Sequence, residues 1–312
     1  MAARAVLSLL FLLIFCGAAL AQNLRVAVIS DLNGSYGSTR YSPRVAAAVQ
    51  RIIALAPDLV ISTGDMVAGQ RRPALSDPEV RAMWDAFHDT VTDPLAKAGI
   101  PLAVTPGNHD ASAYGGFERE REIYGTTWRA RKPKLRYLDG TDYPFFYVFE
   151  MGGVRFASLD ATTLGPLRGD QMSRLSEAIN GSGTAVTFSH LPLWPFAQNR
   201  EREIIGDPAL EALYHKLDVD LHLSGHHHAF YPGWKDGVAY VSQACLGGGM
   251  RVLIGDTVRS ESGFTILEFG TEGLLSVQAY TGPDFRQPLD PTSLPQQVIS
   301  PKATLKRLDL VK

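Results

Sequence analysis

The chain has little cysteine, little net charge and almost no long apolar run. Only Cys16 and Cys245 occur in 312 residues. Cys16 lies in an N-terminal segment that reads as a secretory signal peptide. Arg4 is followed by apolar residues from Val6 to Cys16, broken only by Ser8, and then by the small-x-small pattern Ala19-Leu20-Ala21. Cleavage after Ala21 leaves Cys245 alone, which excludes an internal disulfide even in an oxidising compartment. Stability then rests on an apolar core, with help from any bound metal. Cys245, within "YVSQACLGGG", reads as a small core residue.

Charge of one sign is the second absence. Thirty Lys and Arg against 32 Asp and Glu give a net charge of -2. That excludes a global pull toward nucleic acid or anionic membrane, and no stable nucleic-acid partner is expected. Beyond the N-terminal segment no stretch is long and apolar enough to span a bilayer. The sequence therefore predicts a secreted or periplasmic protein with no transmembrane segment after signal cleavage. No internal repeat is visible.

What is present is alternation. Leu24–Ser30 reads as a strand, and Ser42-Pro43 opens a helix that Pro57 stops. "DLVIS" at 58–62 is a short buried strand. Ser76-Asp77-Pro78 opens a second helix with Val80, Trp84, Phe87 and Val91 inside, and 100–104 is a third strand. This order predicts parallel strands with crossover helices. Residues 111–142 show no clear period. Paired strands flank Gly152-Gly153, and further strands are expected at 185–189 and 219–223. After residue 228 the pattern is strand-rich. The whole is expected to be an α/β fold of two stacked mixed sheets with helices outside, in a domain spanning 22–282. Five prolines between 283 and 312 predict an extended or poorly ordered tail.

Strand ends release metal-competent residues into glycine-marked turns: Asp31-Leu-Asn33, "STGD" with Asp65, "TPGNHD" with Asn108, His109 and Asp110, "FSHLP" with His190, and "LSGHHH" with His226, His227 and His228. In an open α/β sheet, ligands gather beyond the carboxyl ends of strands. Residues distant in sequence are therefore expected to converge.

In order, "SDLN", "STGD", "PGNHD", "SHLP" and "SGHHH" resemble the five motifs of the calcineurin-like metallophosphoesterases, across Leu24 to Phe230. The resemblance implies a four-layer αββα sandwich and two divalent or trivalent metal ions (Mn, Fe or Zn). Asp31 and His228 would bind the first metal, and Asp65 would bridge both. Asn108, His190 and His226 would bind the second. His109 would be the catalytic imidazole, with Asp110 orienting it or positioning its loop, and Asn108, His109 and His227 would face substrate. A metal-bridging hydroxide would attack a small phosphorylated substrate in line, and His109 would protonate the leaving alkoxide. The family's usual Asp-x-His is here Asp31-Leu-Asn33. An amide oxygen is a weaker, harder donor that suits manganese or iron(II) better than zinc. Tyr36 and Tyr41 are nearby substitutes.

Basic residues between Arg129 and Arg136 are candidates for binding extra phosphates, and "LPLWPFAQNRERE" after His190 is a second candidate rim. His88 and His215 read as solvated helix residues, and His222 faces away from Leu221 and Leu223. Two other readings compete with a phosphoesterase: a degenerate binder of a phosphorylated ligand, supported by Asn33, and an exported nuclease, supported by the basic segment.

Overall fold

The computed structural model describes residues 23–181 and 183–311. The expected signal peptide lies outside the described residues. Strand β1 (Leu24–Ile29) is almost wholly buried. Helix α1 (Pro43–Leu55) starts with Pro43 in its first turn, behind the Ser42 hydroxyl, which accepts from Arg44 N. It ends at Ala56, left-handed at φ 48°, just before Pro57. Strand β2 (Leu59–Ser62) follows. Helix α2 (Asp77–Phe87) opens on a Ser76/Glu79 capping box and runs through one wide turn into α3 (Asp93–Lys97). Strand β3 (Leu102–Val104) completes a parallel set with β1 and β2.

After β3 come α4 (Asn108–Ala111), α5 (Glu118–Ala130), β4 (Arg136–Asp142), β5 (Phe146–Met151), β6 (Val154–Ser158) and α6 (Gln171–Ala178). Then follow β7 (Ala185–Ser189), α7 (Pro208–Lys216), β8 (Leu221–Ser224), β9 (Tyr231–Lys235) and β10 (Val238–Ser242). The chain finishes with β11 (Gly263–Gly270), β12 (Gly273–Thr281), β13 (Gln297–Ile299) and β14 (Thr304–Arg307). Two mixed sheets result, ordered β12-β11-β1-β2-β3 and β13-β14-β9-β10-β8-β7-β6-β5-β4.

Strand β5 shows how alternation feeds two cores. Tyr147 and Phe149 face the core between the sheets, where Phe156 meets Phe269. Phe146 and Val148 face the opposite way, onto Leu175 of α6 and Leu210 and Tyr214 of α7. Each fully buried side chain of this kind contributes roughly 1.5–3 kcal/mol. The Tyr147 hydroxyl donates to Val104 O at 2.6 Å and accepts from Val104 N at 2.9 Å. It thereby ties the last residue of β3 to the second sheet.

Four sequence expectations need correction. Residues 111–142 are not irregular: α5 buries Ile123, Tyr124 and Trp128, but five consecutive charged residues before them hide the stripe. The proline-rich tail is ordered. Its prolines fall in the connections, while β14 pairs with β9 and buries Leu305. His88 is packed against Trp84, Phe87 and Trp128 instead of solvated, and burial lowers its pKa to about 4. The basic segment borders the start of β3, beside Gly99, Pro101 and Leu102, whereas the motifs gather beyond the strand's other end. Arg131 pairs with Asp93 and Arg136 with Glu150. His222 does face away from its leucine neighbours, into a buried patch with Thr187 and Tyr214. Among the described residues no helix is long and apolar enough to cross a membrane.

Candidate metal centre

Every motif residue leaves the carboxyl end of a strand, and the backbone there is strained. Asp31 (φ 50°), Asp65 (φ 54°), His226 (φ 63°) and His228 (φ 49°) all occupy the left-handed region, costly for non-glycine residues. Two glycines permit the close approach. A Cβ on Gly107 would lie 2.1 Å from Asp65 N, and one on Gly225 would lie 2.2 Å from Ser30 Oγ.

The half built on Asp65 is dense. His190 Nε2 lies 3.3 Å from Asp65 Oδ2, 2.9 Å from Asn108 Oδ1 and 3.2 Å from His226 Nδ1. One donor atom each from Asp65, His190 and His226 fits within 4.8 Å of the others. Each donor is braced from behind. His190 Nδ1 donates to Thr63 O at 2.9 Å, His226 Nε2 donates to Glu203 Oε2 at 2.9 Å, and Asn108 Nδ2 donates to Gln70 Oε1 at 2.7 Å. Such outer bonds fix the tautomer and aim the inner atom.

The half built on Asp31 is sparser. Asp31 Oδ2 accepts from Ser30 Oγ at 2.6 Å and His226 N at 3.1 Å. Its Oδ1 is buried and has His228 Nε2 3.0 Å away as its ion-pair partner. His228 Nδ1 donates to Gly248 O at 3.0 Å. Asn33 borders the same opening as His109 and His228. Its backbone N–H donates to Asp65 O at 3.2 Å. Tyr41 is no substitute ligand, because its buried hydroxyl donates to Met66 O at 2.8 Å.

The electrostatics suit a cation. Burial opposes charge on His190, but Asp65 outweighs it and holds the imidazolium up to about 9. Burial likewise opposes charge on His228, and Asp31 keeps its pKa well above the ordinary value. His226 is lowered, first by burial. Carboxylates that hold protons on two imidazoles would hold metal cations in their place. The oxygen and imidazole donors, the inward-facing nitrogens and the buried Asp31 Oδ1 paired with His228 all fit first-row divalent ions.

His109 stands at the rim. Its Nδ1 donates to Gly69 O at 2.9 Å, its N–H donates to Asp65 Oδ1 at 2.9 Å, and Nε2 lies 3.9 Å from Asp65 Oδ2. Two expected roles change. Asp110 does not touch the His109 ring; its carboxylate accepts from Met66 N, Val67 N and Gly107 N, so it shapes the loop. Burial, then Asp65, raises its pKa to about 7. His227 is buried and does not meet substrate, because its Nδ1 accepts from Phe196 N and its Nε2 donates to Glu203 O. Sequence reasoning missed Gln70, and it placed Glu203 only at the end of a candidate rim, with no role of its own. Glu203 sits among alternating charges that look like ordinary surface, and only the fold carries it to His226.

The family model for calcineurin-like phosphoesterase matches residues 24–230. No curated protein is a significant match in sequence. A purple acid phosphatase from yellow lupin (Lupinus luteus) seeds superposes with a TM-score of 0.62 at 17% identity, over 84% of this chain and 52% of its own. The present chain thus spans about half the length of the lupin protein. A dimetal phosphatase from Danio rerio superposes at 0.50 with 15% identity, over 83% of this chain and 98% of its own. The anchor in the inner membrane complex of Plasmodium superposes at 0.52 with 15% identity, over 91% and 88%. At these identities the likenesses concern the fold.

Proposed function

The chain belongs to the calcineurin-like phosphoesterase family, whose members are metal-dependent, and we propose that it is an exported two-metal hydrolase of phosphomonoesters or phosphodiesters. The observation that carries this reading is the gathering of Asp31, Asp65, Asn108, His190, His226 and His228 into one connected cluster, beside an opening that His109 and His228 line. Export rests on the N-terminal sequence alone.

Asp65, Asn108, His190 and His226 would hold one ion. Asp31, His228 and the Asn33 amide oxygen would hold the other, with Asp65 shared between them. The two ions supply charge neutralisation of the phosphate and activation of the attacking water. The protein supplies position. Thr63, Glu203, Gly248 and Gln70 hold the ligands at fixed angles, so little reorganisation accompanies the reaction. His109 keeps Nδ1 on Gly69 O, with Nε2 3.9 Å from Asp65 Oδ2, from where it would face the leaving oxygen. A proton on Nε2 passes to the leaving oxygen as its bond to phosphorus breaks.

A panel of chromogenic mono- and diesters, assayed with Mn²⁺, Fe²⁺, Zn²⁺ or Co²⁺, tests the reading. Turnover of either ester class supports it and assigns the class. Failure of every ester with every metal overturns it and favours a ligand-binding protein.

A further inference from the structure

We propose that the cleft on the far side of His109 is a leaving-group subsite, and that it takes a leaving group carrying both a planar ring and a second anion, as a nucleotide does. The proposal rests on the hydrolase reading.

Two cavities meet at Tyr36. One, of about 540 Å³, holds Asn33, His109 and His228. The other, of about 620 Å³, is lined by Tyr36, Gln70, Arg71, Arg72, Tyr114 and Phe117. The Tyr36 and His109 rings are 5.3 Å apart. A group that departs past His109 and then Tyr36 would enter the second cavity. Gln70 joins it to the metal centre through the Asn108 amide. Gln70 is itself held at φ 67°, with its N–H on Glu120 Oε2 at 2.7 Å and its side-chain amide on Ser112 Oγ at 3.0 Å.

The chemistry of the lining selects the ligand. Arg71 and Arg72 bring two guanidinium groups to the lining, while the nearby carboxylates are engaged from behind it, Glu118 by Gly116 N with Arg72 nearby and Glu120 by Gln70 N. Arg72 is preorganised, stacked 4.7 Å over the Phe117 ring and donating to Gly115 O at 2.8 Å. The carboxylate of Glu79 comes no closer than 4.0 Å to Arg71. Tyr36 is 56% exposed and Tyr114 44% exposed. Exposed aromatic faces beside paired arginines bind a flat ring and a phosphate together. A small alcohol would leave this volume unfilled.

ADP is a suitable probe. Water oxygen bonds to the terminal phosphorus, and the bond to AMP breaks. The electron pair stays on AMP, and the surplus proton goes to solvent. The experiment compares kcat/KM for ADP with that for glycerol phosphate, using manganese-loaded protein. AMP binding is titrated calorimetrically in parallel. Parent, Tyr36→Ala and the double variant Arg71→Ala/Arg72→Ala are measured, with a melting curve for each. The parent should prefer ADP and bind AMP, and each variant should lose about tenfold in both the preference and the AMP affinity. No preference in the parent, or AMP binding unmoved by both variants, overturns the subsite. Turnover of neither substrate, the phosphoanhydride or the ester, overturns the hydrolase reading instead, and the AMP titration then decides the subsite by itself.

Discussion

In the half-site around Asp65, His190, His226 and Asn108 each have a second hydrogen bond behind the metal-facing atom, to Thr63, Glu203 and Gln70. Around Asp31, His228 is braced in this way, by Gly248, and Asn33, which the motif resemblance sets in the place of an imidazole, borders the opening. Both halves grow from the same architecture of strand, glycine turn and left-handed ligand. They differ in donor strength and in support. Affinity follows both, so the first metal should be the one that exchanges.

The largest expected effect ignores this asymmetry, because the proposed acid His109 belongs to neither ligand set. His109→Ala should lower kcat about 10²–10⁴-fold while metal content stays at the parent level. A parallel loss of metal would instead make His109 a structural residue. Glu203→Ala should break the comparison from the stronger side. Without its carboxylate, His226 loses its orientation, and affinity for the second metal should fall roughly 10–100-fold. Competition with a chromogenic chelator measures this. Asn33→His should act from the weaker side, tightening the first metal in the same competition and leaving the second unmoved.

A smaller effect concerns protons. In metal-free protein His190 has a folded pKa raised from 6.5 to about 9. A group with a raised folded pKa stabilises fully below the unfolded value and loses that contribution as pH rises through the folded one. The melting temperature of metal-free protein should therefore fall between pH 6.5 and about 9. Metal loading displaces the protons on His190 and His228, so this slope should vanish in the loaded protein. About two protons should be released at pH 7, measurable by calorimetry in buffers of different ionisation enthalpy.

The centre was legible in sequence because its residues sit next to turn glycines at strand ends, where local signal and chemistry coincide. What supports it was not. Glu203 reaches His226, and Tyr147 reaches Val104, only across the fold. His227 was expected to face substrate, and nothing local said that it would enter the core and hold Phe196 N. Helix α5 was masked because Glu118 to Glu122 are all charged, with the buried side of the helix carried largely by Ile123, Tyr124 and Trp128. The tail misled because proline content describes its connections and not the strand between them.

The most direct test is metal stoichiometry, by elemental analysis of protein beginning at residue 22 and purified without chelator. About two metals in the parent and about one in Asn33→Ala are expected if an amide oxygen completes the first half-site. One metal or none in the parent, rising to about two in Asn33→His, would contradict the two-metal centre and leave a half-site that has decayed.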